Sequence, residues 1–339
     1  MGAAGGLRME TIALKGTDIQ ISRLSLGTWP FSGIKLWGAT DEAEAIRVIH
    51  QAMDCGINTF DTAARYGDGE SERILSAALK GRRSKAVVAS KVHTAFLGYQ
   101  DVLDQCDATL QRLGTDYLDL YQIHWPNPQI PMEETLGAFE ALQKTGKIRA
   151  FSVCNFGPKC LEQTKGHAPV LNQLPWSLVW RVIENNGTLA ATEDAGIPVW
   201  TYCALGQGLL TGKYRSVEDV PLSRRANRIY SSQWGQGRHR DGGFEVGVFA
   251  LLDKLRGLCE ESGCTMPQLA LAYLRAQRAV GSILVGARTP QQLTENLQAY
   301  ETAVSADVLA QARELSAPLM LQMGTNADLF EDANGGRMY

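Results

Sequence analysis

Four side chains that can hold or move protons follow predicted strands in the first half of the chain. Asp61, Lys91 and His124 each follow a short apolar or β-branched run, and Tyr66 lies in the turn after the first of these runs. A phenol, with a usual pKa of about 10, is a poor acid at neutral pH unless a cation stabilises the phenolate. Lys91 can supply that charge, Asp61 can hold the ammonium, and His124 can orient a substrate oxygen. The set predicts a proton donor and oxyanion site suited to carbonyl reduction.

Each of these residues also has an ordinary structural explanation when it is taken alone. An aspartate after a strand commonly caps a helix, and a lysine at a strand end commonly forms a surface charge or an ion pair. Histidine and tyrosine side chains commonly pack in the core. The chemical interpretation therefore depends on all four side chains meeting at one place, which the surrounding elements must bring about.

Short apolar strands alternate with helical segments along most of the chain, and the pattern repeats eight times. Eight such units over roughly 300 residues favour a closed (β/α)8 TIM barrel over an open doubly wound sheet. The carboxyl ends of barrel strands share one rim, which is where barrel active sites lie. The predicted strands are Ile21–Leu26, Ile57–Phe60, Ala86–Ser90, Tyr117–Ile123, Ile148–Val153, Val170–Gln173, Pro198–Tyr202 and Ser282–Val285.

The ends of the chain are predicted to add elements to the barrel. We expect an N-terminal β-hairpin, Thr11–Leu14 with Asp18–Ile21, and an extra C-terminal helix over Ser305–Ala317. No change in composition divides the chain, which favours one domain. The predicted organisation is a flexible N-terminal tail, a single barrel domain and a C-terminal tail, over residues 1–10, 11–317 and 318–339.

Composition and charge argue against several classes of function. The 339-residue chain has a net charge of −3, which gives no general attraction to nucleic acid or to an anionic membrane. No apolar run reaches the ~18 residues of a membrane span. The seven cysteines include no C-x-x-C pair, which favours reduced thiols in the cytoplasm. The histidines lack metal-ligand spacing, so we expect no metal, and both a monomer and a homo-oligomer fit the sequence.

Three segments of the sequence resemble signature segments of the aldo-keto reductase superfamily. They are GINTFDTAARYGDGESE (residues 56–72), ASKVH (89–93) and GTDYLDLYQIHWP (114–126). The resemblance extends over nearly the whole chain and is closest to the bacterial reductases and the potassium-channel β-subunits. It places the family's catalytic Asp, Tyr, Lys and His on the four residues named above. The β-subunit branch lacks that histidine, so His124 favours an enzyme.

No G-x-G-x-x-G or P-loop motif identifies a nucleotide site in this sequence. The resemblance does imply one, because the family binds NADP(H), with NAD(H) as an alternative, extended across the barrel rim. Its nicotinamide, pyrophosphate and 2′-phosphate segments match FSVCNF (151–156), the loop after Tyr202, and GARTPQQLTEN (286–296). The residues thereby implied to contact the cofactor are Gly27, Thr28, Trp29, Asp61, Cys154, Asn155, Gln173, Tyr202, Cys203, Ala204, Leu205, Gln207, Gly208, Lys213, Arg224, Gly286, Arg288, Gln292, Glu295 and Asn296.

The match to the family's cofactor segments departs at several positions. Cys154 and Cys203 stand where serine is common, and Gly286 stands where many relatives have a lysine for the 2′-phosphate. Preference for NADP(H) over NAD(H) therefore depends on Arg288, helped by Arg224. Arg288 precedes a predicted helix, and a helix start favours a bound anion.

Aromatic residues in the rim loops are predicted to form an apolar mouth, which suits aromatic aldehydes or sugars. The pocket is expected to be lined by Trp29, Trp37, Phe96 and Trp125. In the family, C-terminal tails often fold over this region, so the tail over residues 318–339 is expected near the pocket.

The sequence thus predicts an NADP(H)-dependent oxidoreductase that reduces aldehydes or ketones to alcohols, with Tyr66 as proton donor. Its partners would be small carbonyl compounds or alcohols. Two alternatives stay open. One is an NADP(H)-binding regulatory subunit with little turnover, and the other is a lyase that uses Lys91 as a Schiff-base amine.

Overall fold

Eight parallel strands form one closed barrel in the computed structural model, which describes residues 9–332 and 337–338. Each barrel strand pairs with the next one along the chain and the last pairs with the first, so the prediction of a (β/α)8 barrel is confirmed. Nearly all strand residues are buried, as expected for a parallel sheet covered on both faces. The barrel strands are β3 (Leu24–Gly27), β4 (Thr59–Asp61), β5 (Val87–Val92), β6 (Leu118–Ile123), β7 (Ile148–Cys154), β8 (Asn172–Pro175), β9 (Val199–Tyr202) and β10 (Val280–Val285).

An antiparallel hairpin precedes the barrel strands, as predicted. It consists of β1 (Thr11–Ala13) and β2 (Gln20–Ser22), and Ile12 lies opposite Ile21 in its register. The turn includes Gly16, whose φ of +77° lies in the left-handed region that glycine adopts without strain. Ile21 is fully buried, so the hairpin contributes to the hydrophobic core.

The single strand predicted over Ile21–Leu26 is wrong, because the hairpin ends at Ser22 and the barrel begins at Leu24. The Ser22 amide donates hydrogen bonds to the side chains of Asn58 and Thr59, at 2.9 and 3.0 Å. Side-chain acceptors thus replace a backbone partner where the chain passes from one sheet to the other. The apolar residues Ile21, Leu24 and Leu26 recur across the break, which concealed the change.

The helices begin and end largely where their caps predict. Helix α2 has the predicted bounds; Gly69, with a φ of +87°, precedes it, and Ile74 and Leu75 form part of its buried face. Helix α10 continues past the predicted end at Ala317 to Met323, with Pro318 inside it, because Leu319 and Met323 are buried on its inner face. The helices are α1 (Glu42–Asp54), α2 (Glu70–Leu79), α3 (Tyr99–Leu113), α4 (Met132–Lys144), α5 (Pro158–Gln163), α6 (Thr188–Asp194), α7 (Glu245–Ser262), α8 (Met266–Arg275), α9 (Pro290–Glu301) and α10 (Ala306–Met323).

None of the helices in the described ranges combines the length and apolarity that a bilayer crossing requires. The chain divides into two compact units, both of which contribute strands to the barrel. The first contains the chain up to Val153, Gly166–Leu171 and Leu284–Thr294. The second contains Cys154–Lys165, Asn172–Ile283 and the chain from Glu295 onward.

The long loop between β9 and α7 is held, within the second unit, by the C-terminal segment. The guanidinium of Arg228 donates to the carbonyls of Asn326 and Asp328, each at 2.8 Å, and pairs with Asp241. The Trp180 indole donates to a further carbonyl of this segment. Of the two predicted tails, residues 1–8, 333–336 and 339 lie outside the described residues.

Candidate active site

A buried ion pair forms the centre of the candidate site in the first unit. Asp61 is the last residue of β4 and Lys91 lies near the end of β5; their side chains are 1% and 0% exposed. The Lys91 ammonium lies 2.7 Å from the Asp61 carboxylate and donates to the Thr62 carbonyl at 2.9 Å. Because a buried charge requires a partner, each side chain depends on the other for its place in the interior.

Tyr66 presents its hydroxyl to this pair, as the sequence predicted. Its oxygen is 3.4 Å from the Lys91 ammonium, which also lies 5.0 Å from the centre of the phenol ring. The His124 ring meets the Tyr66 ring edge-on, with the ring centres 5.9 Å apart. The backbone amide of His124 donates to Val92 at 3.1 Å, which fixes the strand end that carries the histidine. The structure therefore brings all four predicted catalytic residues together.

Gln122 is a member of this group that the sequence analysis missed. Its amide nitrogen donates to the second carboxylate oxygen of Asp61 at 3.2 Å, and its side chain is fully buried. The strand register explains the contact, because Gln122 in β6 lies beside Lys91 in β5. A signal was present in the sequence: Gln122 is two residues before His124, so both side chains point to the same face of one strand.

Gly27 and Thr28, predicted to contact the cofactor, hold the end of β4. Gly27 pairs with Asp61 in the strand register. Both the amide and the hydroxyl of Thr28 donate to the Asp61 carbonyl at 2.9 Å. A buried hydroxyl cluster completes this support, since Ser71 lies 2.6 Å from the Thr28 hydroxyl and Thr62 donates to Ser71 at 2.9 Å. The Asp61 backbone is thereby fixed before any ligand binds.

Two predicted pocket residues lie on the side of Tyr66: Trp29 contacts it directly, and Trp37 contacts Trp29. The Trp29 ring stacks on the Tyr66 ring, with centres 5.8 Å apart and planes 25° apart. Trp37 meets Trp29 edge-on at 5.4 Å. The other two predicted pocket residues are placed differently: Phe96 is 41% exposed and lies against a histidine, and Trp125 is buried.

A second group of predicted residues forms an amide-rich cluster inside the second unit. The Asn155 side-chain nitrogen donates to the Cys154 sulfur at 3.0 Å, and the Cys154 thiol donates to the side-chain amide oxygen of Gln173 at 3.4 Å. The Tyr202 hydroxyl donates to Asn155 at 2.8 Å. Asn155 directly follows β7 and Cys203 directly follows β9, and their φ values are +63° and +56°. Such left-handed residues are uncommon and concentrate at ligand sites.

The loop after β9 carries the predicted pyrophosphate residues. Burial raises the pKa of the Cys203 thiol to about 12, so it is a neutral group at pH 7. The Gln207 amide donates to the Cys203 sulfur at 3.8 Å and accepts from Asn227 at 3.0 Å. Among the other predicted residues here, Ala204 is buried and Leu205 and Gly208 are half-buried.

Two cations in this loop meet the same aromatic side chain. The Lys213 ammonium lies 4.9 Å from the centre of the Tyr214 ring, and Arg224 donates to the Tyr214 hydroxyl at 3.3 Å. Both cations belong to the predicted phosphate-binding set. Their shared contact with Tyr214 concentrates positive charge in one part of the loop.

The predicted 2′-phosphate segment lies, up to Thr294, in the first unit. The Arg288 amide donates to the Gln292 side chain at 2.8 Å, and the Arg288 guanidinium donates to the Ala39 carbonyl at 2.8 Å. Of the remaining members in α9, Glu295 is exposed and Asn296 is buried. Among the described residues, no group of three or more His, Cys, Asp or Glu side chains is arranged to hold a metal ion.

Comparison with known proteins identifies the family of this chain. The aldo/keto reductase family profile matches residues 23–317. The chain is 34% identical over 296 residues to the aldo-keto reductase YhdN of Bacillus subtilis, covering 84% of this chain and 87% of that protein. It is 34% identical over 335 residues to the NADH-specific methylglyoxal reductase of Escherichia coli, covering 92% and 99%.

A solved structure agrees with these sequence relatives. An aldo-keto reductase from Klebsiella pneumoniae, determined in complex with NADPH, superposes with a TM-score of 0.70 at 25% identity, covering 91% of this chain and 95% of that one. The family profile spans all eight barrel strands and the four residues predicted to be catalytic. The chain therefore belongs to the aldo/keto reductase family.

Proposed function

We propose that this protein is an NADP(H)-dependent reductase that converts aldehydes or ketones to alcohols, with Tyr66 as the proton donor. The observation that carries the proposal is the Tyr66 hydroxyl 3.4 Å from the Lys91 ammonium, which is itself paired with buried Asp61. A phenol beside a fixed positive charge can release its proton, because the ammonium stabilises the phenolate that remains.

The residues divide the chemistry among themselves. NADPH, when bound, supplies the hydride that reduces the carbonyl carbon. Tyr66 delivers a proton to the carbonyl oxygen, His124 orients that oxygen, and Lys91 stabilises the developing phenolate. Gln122 and Asp61 keep the ammonium in one position, so the group is preorganised for the reaction.

The donor set of the amide-rich cluster fits a nicotinamide carboxamide. A carboxamide offers one acceptor and two donors, and the Asn155 and Gln173 side chains together offer both kinds of group. Cys203, Gln207, Lys213 and Arg224 are placed in the loop that would hold the pyrophosphate. Holding the carboxamide on one side of its ring would decide which face delivers hydride.

The choice between NADP(H) and NAD(H) depends on Arg288 in this proposal. One relative is named for NADH and one neighbour was solved with NADPH. A guanidinium forms charge-assisted hydrogen bonds with phosphate, so Arg288→Ala should raise the KM for NADPH about ten- to hundredfold. The KM for NADH should change little. Arg278→Ala, at a 92% exposed arginine, serves as the matched control.

The Schiff-base alternative is disfavoured by the position of Lys91. Imine formation needs an amine that a carbonyl carbon can reach, whereas the Lys91 side chain is 0% exposed and its nitrogen is 2.7 Å from the Asp61 carboxylate. The regulatory-subunit alternative predicts cofactor binding without turnover. An assay that measures both cofactor binding and carbonyl turnover therefore separates the regulatory subunit from the reductase.

The test measures NADPH oxidation with 4-nitrobenzaldehyde and with methylglyoxal, the latter because of the Escherichia coli relative. Tyr66→Phe should lower the rate about 10²–10⁴-fold while cofactor binding, followed by fluorescence, stays intact. Tyr99→Phe is the matched control, because Tyr99 is 44% exposed at the start of α3. Full activity in Tyr66→Phe would contradict the acid assignment, and tight NADPH binding without turnover of any carbonyl would favour a regulatory subunit.

We also infer that residues 11–317 act as a single catalytic domain and that the protein works in the cytoplasm. The seven cysteines include no C-x-x-C pair, which suits a reducing compartment. Unfolding of the whole chain in one cooperative transition would support the first inference. Full activity maintained under reducing conditions would support the second.

A further inference from the structure

The loop over residues 32–41 contacts both Trp29, which lies beside the proposed proton donor Tyr66, and Arg288, the residue proposed to bind the 2′-phosphate. At one position it carries Trp37, which contacts Trp29 edge-on at 5.4 Å. Trp29 in turn stacks on the catalytic Tyr66 at 5.8 Å. A displacement of this loop would therefore change the aromatic surface that a carbonyl substrate meets beside the proton donor.

The same loop is bonded to the arginine proposed to take the 2′-phosphate. The Arg288 guanidinium donates to the Ala39 carbonyl at 2.8 Å, and the Arg288 amide is fixed by Gln292 at 2.8 Å. Two residues earlier, a Cβ added to Gly286 would lie 2.9 Å from Cγ of Pro30. The segment that carries Arg288 thus contacts the chain on both sides of Trp37.

The loop has the local features of a unit that can shift as a body. The Thr40 hydroxyl accepts from the Gly33 amide at 3.0 Å, which ties its two ends together. Gly33 and Gly38 have φ values of +64° and +79°, and no atom lies within 4 Å of a Cβ added at Gly38. Glycines in this conformation can absorb a change of backbone angle at little steric cost.

We propose that the loop over residues 32–41 couples the nucleotide 2′-phosphate to the substrate entrance, so that the aromatic pair beside Tyr66 responds to which cofactor is bound. The inference rests on the proposed function, in which Arg288 binds that phosphate. A phosphate oxygen is a stronger acceptor for a guanidinium than a neutral carbonyl. A bound 2′-phosphate therefore weakens the bond from Arg288 to Ala39 and releases the loop, whereas a nucleotide without this phosphate leaves the bond in place.

The coupling would make the Michaelis constant for the carbonyl substrate depend on the cofactor. Coupling between two sites commonly changes affinity roughly 5–150-fold. We expect the KM for 4-nitrobenzaldehyde to differ at least about 5-fold between saturating NADPH and saturating NADH. In Arg288→Ala the bond to Ala39 is already absent, so the ratio of the two KM values should approach one. Equal KM values with the two cofactors in the native enzyme would contradict the proposal.

A direct test uses two nucleotide fragments that lack nicotinamide, adenosine 2′,5′-bisphosphate and 5′-AMP. The tryptophans are replaced by 5-fluorotryptophan, and the Trp37 fluorine resonance is assigned by its loss in Trp37→Phe. The bisphosphate at saturation should shift this resonance, while 5′-AMP at saturation should not. In Arg288→Ala the resonance should begin at a displaced position and not move further when the bisphosphate saturates the protein.

The outcomes separate this inference from the function on which it rests. If calorimetry shows tight binding of the bisphosphate while the Trp37 resonance stays fixed, the coupling is wrong and the reductase proposal stands. If the bisphosphate binds no more tightly than 5′-AMP, Arg288 does not bind a 2′-phosphate, and both the cofactor assignment and the coupling fail. Lys35→Ala, which removes an exposed charge from the same loop, should leave the bisphosphate-induced shift intact.

Discussion

Replacing Lys91 with methionine would leave the Asp61 carboxylate buried without its counter-ion. Both side chains are almost completely inaccessible to solvent, at 0% and 1% exposure, and their charged atoms are 2.7 Å apart. Removing one partner of such a pair costs about 3–5 kcal/mol. For a chain of this size each kcal/mol corresponds to roughly 2 °C in Tm, so we expect Lys91→Met to lower the Tm by about 6–10 °C.

The double variant Asp61→Asn/Lys91→Met separates the charge effect from the loss of packing. It removes both charges and keeps an oxygen that can accept from Gln122, as Asp61 does at 3.2 Å. The Thr62 carbonyl still loses its donor, so stability should not return completely. We expect the second change to restore about 1–3 kcal/mol, the usual coupling energy of contacting residues, while reductase activity stays absent in both variants.

Thermal unfolding, monitored by circular dichroism, measures the change in stability, and the NADPH oxidation assay measures the change in activity. A double variant no more stable than Lys91→Met would show that the two charges are not paired in the folded protein. Substantial activity in Lys91→Met would show that the phenol does not need the ammonium, which would remove the physical basis of the acid assignment.

Three further predictions follow from particular contacts. Gln122→Leu should lower kcat about tenfold, equivalent to ~1.4 kcal/mol, because Asp61 loses a hydrogen bond; a change in cofactor Kd instead of kcat would contradict this role. Arg228→Leu should make the C-terminal segment more accessible to limited proteolysis, and an unchanged digestion pattern would refute that segment's dependence on the guanidinium. Burial alone would raise the pKa of Glu184, but the hydrogen bonds and charge of Arg181, together with hydrogen bonds from Trp176 and Tyr273, outweigh burial and lower it. The pairing therefore stabilises the fold above the unfolded carboxyl pKa of about 4.5, and this stabilisation is lost as the pH falls below it. Between pH 5 and about pH 3 the Tm of Glu184→Gln should therefore fall less than the Tm of the native protein. Parallel Tm curves for the two proteins would contradict this role of Glu184.

The elements that carry the four residues of the proposed active site were predictable because their signals are local. Helix α2 has its predicted bounds, and the glycine before it and its apolar spacing suffice to define it. Asp61, Lys91 and His124 were identified as strand-end residues from short apolar runs alone. In a parallel barrel the ends of successive strands meet, so correct strand assignment already brings these side chains together.

The parts that sequence missed depend on partners distant in the chain. The bonds from Arg228 end on backbone carbonyls of residues 326 and 328, and carbonyls leave no trace in a sequence. The break after Ser22 likewise depends on side chains near residue 58. Gln122 differs from these cases because its position was predictable. Alternate residues of a strand share a face, so Gln122 is expected on the same face as His124.

The absence of a lysine at position 286 has a steric reason that bears on nucleotide choice. A Cβ there would approach the Pro30 ring to 2.9 Å, and a proline ring cannot rotate away as a flexible side chain would. Only glycine lets this segment lie so close to the chain that leads to Trp37. Two residues further along the same segment, the Arg288 guanidinium lies 2.8 Å from the Ala39 carbonyl. If Arg288 alone binds the 2′-phosphate and also holds the loop over residues 32–41, then nucleotide preference and substrate affinity cannot be altered independently at this site.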